Sequence, residues 1–485
     1  MNFNGQTLFT VAHYVAVAAI FVRIVMLKSR SGIALAWVSI VAAFPLAGVV
    51  AYIIFGDKLL SSDRGAGLAG GKAAFASVFK WAGECVEAKV DWGQSSPQIE
   101  KLATLATSLL GAPTYGESDT ELIGDYRVAF DRIVQDIDDA QNSVLLEFYI
   151  WDGRGAAETL YQALLRARER KVACRILVDD VGARSWIKGE QYRSLREAGV
   201  EIERTLKTGF VRALWERADV RNHRKIVVVD GCIGYTGSLN VTDCEIFGKE
   251  AGVGEWIDSM VRIEGSAVRG LTATVAADWK MTTGEEEASV LTMVGEPSDK
   301  SKGEANILTF PTGPGGPGDE AVQMTVALVN AAEGEIVLTT PYFVPDVSLL
   351  RALRVAAGKG VTVRILVPKQ TDSLLAKYAG ESYFDELLEV GIEVYQFEQG
   401  VVHTKSICID REISLFGTVN YDIRSLWINF EVSLVIFDKG FAQDLRDLQE
   451  SYLGRSEKLQ LETWHKRPAL HQLRENTCRL ISPLL

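Results

Sequence analysis

The chain begins with two apolar runs and then changes character. Leu8 to Leu27 is almost wholly apolar apart from His13 and Arg23, and Ile33 to Phe55 carries no charge. Each run reaches the roughly 20 residues that span a bilayer as a helix. Lys28-Ser29-Arg30-Ser31-Gly32 reads as the turn between them, so residues 1–60 are expected to form a two-helix transmembrane hairpin. A secretory signal needs a basic start and a small-residue cleavage site, and the first run has neither. Basic residues do not orient the hairpin: Lys28 and Arg30 lie in the turn, and Lys58, Arg64 and Lys72 follow the second run.

From Ser61 to about Pro113 the chain is rich in Gly and Ala with weak helical periodicity, which predicts a linker with short helices over 61–115. Strand and helix patterns then alternate. Ser143 to Trp151 reads as a buried strand, Ala156 to Arg170 as an amphipathic helix and Ala173 to Asp179 as a second strand. Glu335 to Thr340, Ser348 to Gly358 and Val361 to Val367 repeat that order. Alternating βα units predict an α/β fold with a mixed or parallel sheet covered by helices. The breaker-rich stretch Pro311 to Gly318 lies near the boundary between two units, 116–300 and 301–485, and lacks the Lys-Ser/Thr of a phosphate-binding P-loop.

Composition narrows the picture. A formal charge of −12 and a pI near 5.2 argue against a general nucleic-acid binder, which usually displays a strongly basic face. Cys174, Cys232, Cys244 and Cys408 sit in or beside strand-like segments rather than at disulfide-scaffold spacings, so reduced thiols and a cytoplasmic domain are expected.

Two short stretches carry the chemistry. His223-Arg224-Lys225 runs to Asp230 and His403-Thr404-Lys405 runs to Asp410, each reading HxKxxxxD. Gly237-Ser238-Leu239-Asn240 and Gly417-Thr418-Val419-Asn420 follow at the same distance, and every marked position recurs 180 residues on. The chain therefore contains a duplicated unit. On a strand, His and Lys at i and i+2 share a face. Two such pairs facing each other make a phosphate site: one His attacks phosphorus while the other protonates the leaving oxygen. Lys225 and Lys405 would flank the phosphoryl oxygens, with Ser238, Asn240, Thr418 and Asn420 adding hydrogen bonds. This chemistry needs no metal and no cofactor.

The paired motif resembles the phospholipase D superfamily. Thr340 to Asp346, Arg364 to Pro368, Asn420 to Ser425, Asn429-Phe430-Glu431 and Arg221 to Lys225 resemble its bacterial cardiolipin synthases. The resemblance implies two phospholipase D-like βα repeats packed around a shared active site. It also implies an acidic residue downstream of each motif that hydrogen-bonds the non-reacting imidazole nitrogen. Glu431 fits that role in the second half. Asp258 fits it in the first, although the surrounding Trp256 to Met260 departs from the family's usual pattern. Asp230 and Asp410 are expected to hold the strand-to-turn geometry. The implied reaction joins two phosphatidylglycerols into cardiolipin and glycerol through a phosphohistidine, at a bacterial inner membrane. A phospholipid hydrolase and a nuclease of the same superfamily remain alternatives, as does an inactive scaffold.

Overall fold

The computed structural model describes residues 5–26, 31–44, 46–55, 90, 92, 97–207, 219–286, 288–294, 303–314 and 318–481. The chain divides into two compact units, Met1–Gly70 with Lys207–Val220, and Gly71–Leu206 with Arg221–Leu485.

In the smaller unit the first apolar run forms a helix, Gly5–Met26. The second does not form one helix. It makes two, Ser31–Ala43 and Ala47–Phe55, because Pro45 has no N–H to donate and Leu46 takes a φ of 62°. The expected pair of membrane-spanning helices is corrected accordingly. No helix among the described residues is long and apolar enough to cross a membrane.

The larger unit is built around strands such as Ser143–Phe148, Lys225–Val229 and Glu431–Phe437 that are buried on both faces, which explains their largely apolar runs. The first half contributes β1 (Tyr115–Ile123), β2 (Ser143–Phe148), β3 (Ala173–Asp179), β4 (Glu201–Thr205), β5 (Lys225–Val229), β6 (Ile233–Gly237), β7 (Trp256–Ile257) and β8 (Met260–Glu264). The second contributes β9 (Ala305–Thr312), β10 (Glu335–Thr339), β11 (Thr362–Pro368), β12 (Glu393–Phe397), β13 (Val401–Val402), β14 (Ser406–Ile409), β15 (Ile413–Gly417), β16 (Glu431–Phe437) and β17 (Ser456–Lys458). Among the described residues one sheet of 15 strands runs β17-β12-β11-β10-β14-β15-β16-β9-β1-β8-β6-β5-β2-β3-β4. Its two halves answer each other: β2, β3 and β4 are parallel, as are β10, β11 and β12, and β5 and β14 lie antiparallel beside them. Antiparallel β1 and β9 join the halves through an irregular register.

Alternation along β5 sends Val227 and Val229 into a core under the helices Tyr126–Asp139 and Glu158–Glu169, and Ile226 and Val228 into another. That second core also takes Cys408, Val432 and Leu434 from the other half, and the helices Val268–Thr283 and Lys439–Leu453 add further side chains to it. One apolar layer is thus common to both halves. The motif glycines mark the closest approaches within the sheet. A Cβ at Gly237, where φ is 156°, would meet the Ser259 carbonyl at 2.4 Å, and one at Gly417 would meet the Val432 carbonyl at 2.3 Å. Cys174, Cys244 and Cys408 are buried free thiols.

Candidate active site

Each HxK segment enters its strand from a short backbone contact with the opposite half. His223 N donates to Phe430 O at 2.9 Å, and Phe430 N donates to Arg221 O at 2.9 Å. Symmetrically, β13 pairs in parallel with β7, and His403 N donates to Ile257 O at 2.9 Å. The residues that follow these contacts are carboxylates. His223 Nδ1 lies 2.9 Å from Glu431 Oε2, and His403 Nδ1 lies 2.6 Å from Asp258 Oδ1. The pairing is crossed, with each half supplying the acid that holds the other half's imidazole. With Nδ1–H donating to a carboxylate, Nε2 of each ring is left with its lone pair.

Both histidines are 9% exposed or less. Burial lowers His223 to about 4 despite the opposing pull of Glu431, and lowers His403 to about 3 despite Asp258. Burial raises Asp258 and Glu431, but the imidazoles and buried lysines outweigh it and hold both carboxylates below their usual range. Lys225 and Lys405 donate to the carbonyls of His223 and His403 at 2.7 and 2.6 Å. Burial brings Lys225 down to about 8 and Lys405 well below an ordinary ammonium. Each ammonium is in electrostatic reach of both carboxylates, so the two halves form one charge cluster.

Ser238 and Thr418 brace the carboxylate segments. Ser238 Oγ accepts from Ser259 N at 3.0 Å, and Thr418 Oγ1 donates to Glu431 Oε2 at 2.6 Å while accepting from Val432 N at 2.9 Å. Asn240 Oδ1 accepts from Ile150 N at 3.1 Å, whereas Asn420 Oδ1 is buried without a hydrogen-bond partner among the described residues. Asp230 and Asp410 lie at the far ends of their strands. Asp230 accepts from the backbone N–H of Gln141, Asn142 and Ser143, and Asp410 from those of Glu333, Gly334 and Glu335. Both adopt a left-handed backbone, with φ of 49° and 51°.

Several residues escaped the sequence reading. The Tyr149 ring packs on His223 with centroids 5.2 Å apart, and Trp256 packs on His403 at 4.3 Å. Alternation turns Arg224 away from the site, where it pairs with buried Asp278 and donates to the carbonyls of Glu431 and Thr312. Asn222 donates to buried Glu147, which burial and nearby Asp278 push well above the usual carboxylate range. A Tyr directly after the strand paired with β5 was the available signal for Tyr149. A buried Glu147 inside the run Ser143 to Trp151 was another.

Paired βα halves around two crossed His–carboxylate pairs define a phospholipase D-like protein, and the known proteins that this chain resembles agree. The family described as cardiolipin synthase, PLD-like domain, matches residues 133–248 and 325–452. Cardiolipin synthase A of Yersinia pseudotuberculosis is 36% identical over 480 residues, 98% of this chain and 97% of that protein, and that of Yersinia pestis gives the same figures. Phosphatidylserine synthase of Haemophilus influenzae, 15% identical, shares the fold with a TM-score of 0.59 over 79% of this chain and 100% of that one. The chain belongs to the cardiolipin synthase family of phospholipase D-like proteins.

Proposed function

We propose that this chain transfers a phosphatidyl group between two phosphatidylglycerol molecules, yielding cardiolipin and glycerol. The observation that carries the reading is the pair of buried imidazoles, each held at Nδ1 by a carboxylate of the opposite half. His223 Nε2 attacks phosphorus, and the P–O bond to glycerol breaks. His403, protonated and ion-paired with Asp258 while the phosphodiester is bound, gives the departing oxygen its proton and becomes neutral. The terminal hydroxyl of a second phosphatidylglycerol then attacks the phosphatidyl-histidine, losing its proton to His403 as the N–P bond breaks. A bound phosphodiester adds negative charge beside His403, which offsets the burial that keeps the empty site neutral.

Lys225 and Lys405 face the phosphoryl oxygens, and the amide groups of Asn240 and Asn420 supply donors as charge develops. Ser238 and Thr418 contribute through the carboxylate segments they brace. Asp230 and Asp410 act on the strand ends.

The reading includes a lipid-bound N-terminus. The helix Gly5–Met26 leaves Phe9 47%, Val15 62% and Phe21 51% exposed, apolar surface that acyl chains would cover. Residues 1–60 then serve as the membrane anchor and 61–115 as its linker. Residues 116–300 and 301–485 form two repeats, with the catalytic region on the cytoplasmic side of a bacterial inner membrane. Tethering raises the local concentration of the site at a surface that confines both substrates.

The test is incubation of the purified full-length protein with labelled phosphatidylglycerol in mixed micelles. Cardiolipin with free glycerol is expected. Phosphatidic acid alone would make the protein a hydrolase, and DNA cleavage without lipid turnover would make it a nuclease.

A further inference from the structure

Duplication supplies an internal comparison. Arg175 of β3 pairs with Glu201 of β4 at 2.9 Å, and Arg364 of β11 pairs with Glu393 of β12 at 3.0 Å, so the two strand pairs share a register. Three residues along, Val178 faces Arg204 in the first half and Val367 faces Gln396 in the second. Arg204 is engaged by Asp180 at 3.3 Å. Gln396 is 7% exposed, and its carboxamide makes no hydrogen bond among the described residues.

Gln396 instead lines a pocket with Tyr342, Lys377 and Glu381 above an apolar floor that includes Phe384. Glu381 is 9% exposed and makes no hydrogen bond among the described residues, and its ion-pair partner is Lys377 at 3.9 Å. Burial pushes its carboxyl up to about 7. A buried carboxamide and a buried carboxyl, both with hydrogen bonds to make, suit hydroxyl groups. The Glu381 carboxyl, even with Lys377, Arg474 and Arg467 in electrostatic reach, is a poor partner for a phosphate.

The pocket adjoins the reaction centre. Tyr421, directly after Asn420, donates its N–H to Thr340 Oγ1 at 3.2 Å and accepts from Val344 N at 2.9 Å, which fixes the wall Pro341-Tyr342-Phe343. The Tyr342 phenol bonds Asp372 and lies in electrostatic reach of Tyr149, whose ring packs on His223.

Resting on the phosphatidyl-transfer reading, we propose that this pocket receives the glycerol headgroup, with its vicinal hydroxyls bonded to Gln396 and Glu381. In the first half an ion pair occupies the corresponding position, so a duplicated catalytic centre acquires one headgroup pocket. A reaction that treats its two phosphatidylglycerols differently needs that asymmetry.

The experiment offers the full-length protein in mixed micelles a phosphatidylglycerol donor with labelled glycerol and ethanol as competing acceptors, and reads the ratio of glycerol exchange to phosphatidylethanol. Gln396→Leu and Glu381→Leu are each expected to lower that ratio about tenfold, since unpaired polar groups discriminate by losing their partner. Glu381→Gln, which keeps a donor and an acceptor, should hold it. Cardiolipin falling in step with glycerol exchange assigns the pocket to the acceptor lipid's glycerol, and glycerol exchange falling alone assigns it to the departing glycerol. Phosphatidylethanol formation reports an intact catalytic centre. Should a leucine variant make none, the ratio is read in Gln396→Asn, which withdraws the amide by one methylene and should lower it. An unchanged ratio overturns the proposal. A wild-type protein that makes phosphatidylethanol but no cardiolipin sinks the synthase reading and leaves the ratio as the measure of the pocket.

Discussion

Glu431 belongs to the second half of the chain and holds His223 of the first, 2.9 Å away and 208 positions apart in sequence. Asp258 returns the relationship, holding His403 at 2.6 Å across 145 positions. Neither half therefore supplies both members of either motif-histidine pair. A duplicated unit whose copies exchange an essential side chain is bound to stay a pair, because either copy alone presents an imidazole without a fixed tautomer.

Amide substitution of these carboxylates tests that relationship. Glu431→Gln and Asp258→Asn keep the shape and remove the charge that fixes each ring, so each is expected to lower kcat by on the order of 10⁴-fold, the loss that the same change of the orienting acid produces in a triad. The melting temperature should move little. Circular dichroism melts beside turnover assays separate the two effects. A variant that keeps more than half of wild-type turnover would show that its carboxylate does not act through the imidazole.

Asp230 and Asp410 predict the opposite pattern. Each accepts three backbone N–H groups at a turn, and its own backbone is left-handed. Asp→Ala at either position leaves those donors to water and strains the turn, at a cost of roughly 1–3 kcal/mol in stability. Denaturant titration should show the loss while kcat of the remaining folded protein stays near wild type. A collapse of kcat with unchanged stability would put these residues in the chemistry.

Period and composition made the βα framework legible. Ala173–Asp179 is a strand over the expected residues, and Ser348–Gly358 became the helix Val347–Gly358 with Asp346 accepting from Ser348 N. Ser143 to Trp151 ended early, at Phe148, because Tyr149 leaves the sheet to cover His223. The break after Ala43 was missed because hydropathy counts apolar residues and ignores the backbone donor Pro45 lacks. The crossed partners of His223 and His403 leave no trace in local periodicity, since contacts across 208 and 145 positions are set by how the halves pack. Arg224 and Asp278 were invisible for the same reason.

The pH dependence follows from burial. In the free enzyme His223 is lowered to about 4 and Lys225 to about 8. kcat/KM should rise as pH passes about 4, where His223 becomes a nucleophile, and fall as pH passes about 8, where Lys225 loses its charge. Stability has its own sign. The unfolded chain protonates histidine near 6.5, above the folded value, so the contribution present above that pH is lost as pH falls toward about 4. For Lys225 the unfolded chain retains its proton above about 8, so stability rises there while activity falls. Measured profiles with an alkaline limb no lower than that of free lysine would remove Lys225 from the reaction.

The roles of the two histidines can be separated by the leaving group. Replacing either His223 or His403 with Ala is expected to abolish cardiolipin formation, because expelling glycerol needs both a nucleophile and a proton donor. A p-nitrophenyl phosphatidyl ester changes that requirement, since nitrophenolate departs without a proton. His403→Ala should then release a burst of nitrophenolate and accumulate a phosphatidyl adduct on His223, whereas His223→Ala should release none. Asp258→Asn should follow His403→Ala in this assay, and Glu431→Gln should follow His223→Ala, because the hydrogen bonds run across the halves. Mass spectrometry that found the adduct on His403 would reverse both assignments together and leave the crossed pairing in place. A nitrophenolate burst that Glu431→Gln keeps and Asp258→Asn loses, with the adduct still on His223, would instead break the link between each carboxylate and the imidazole it holds.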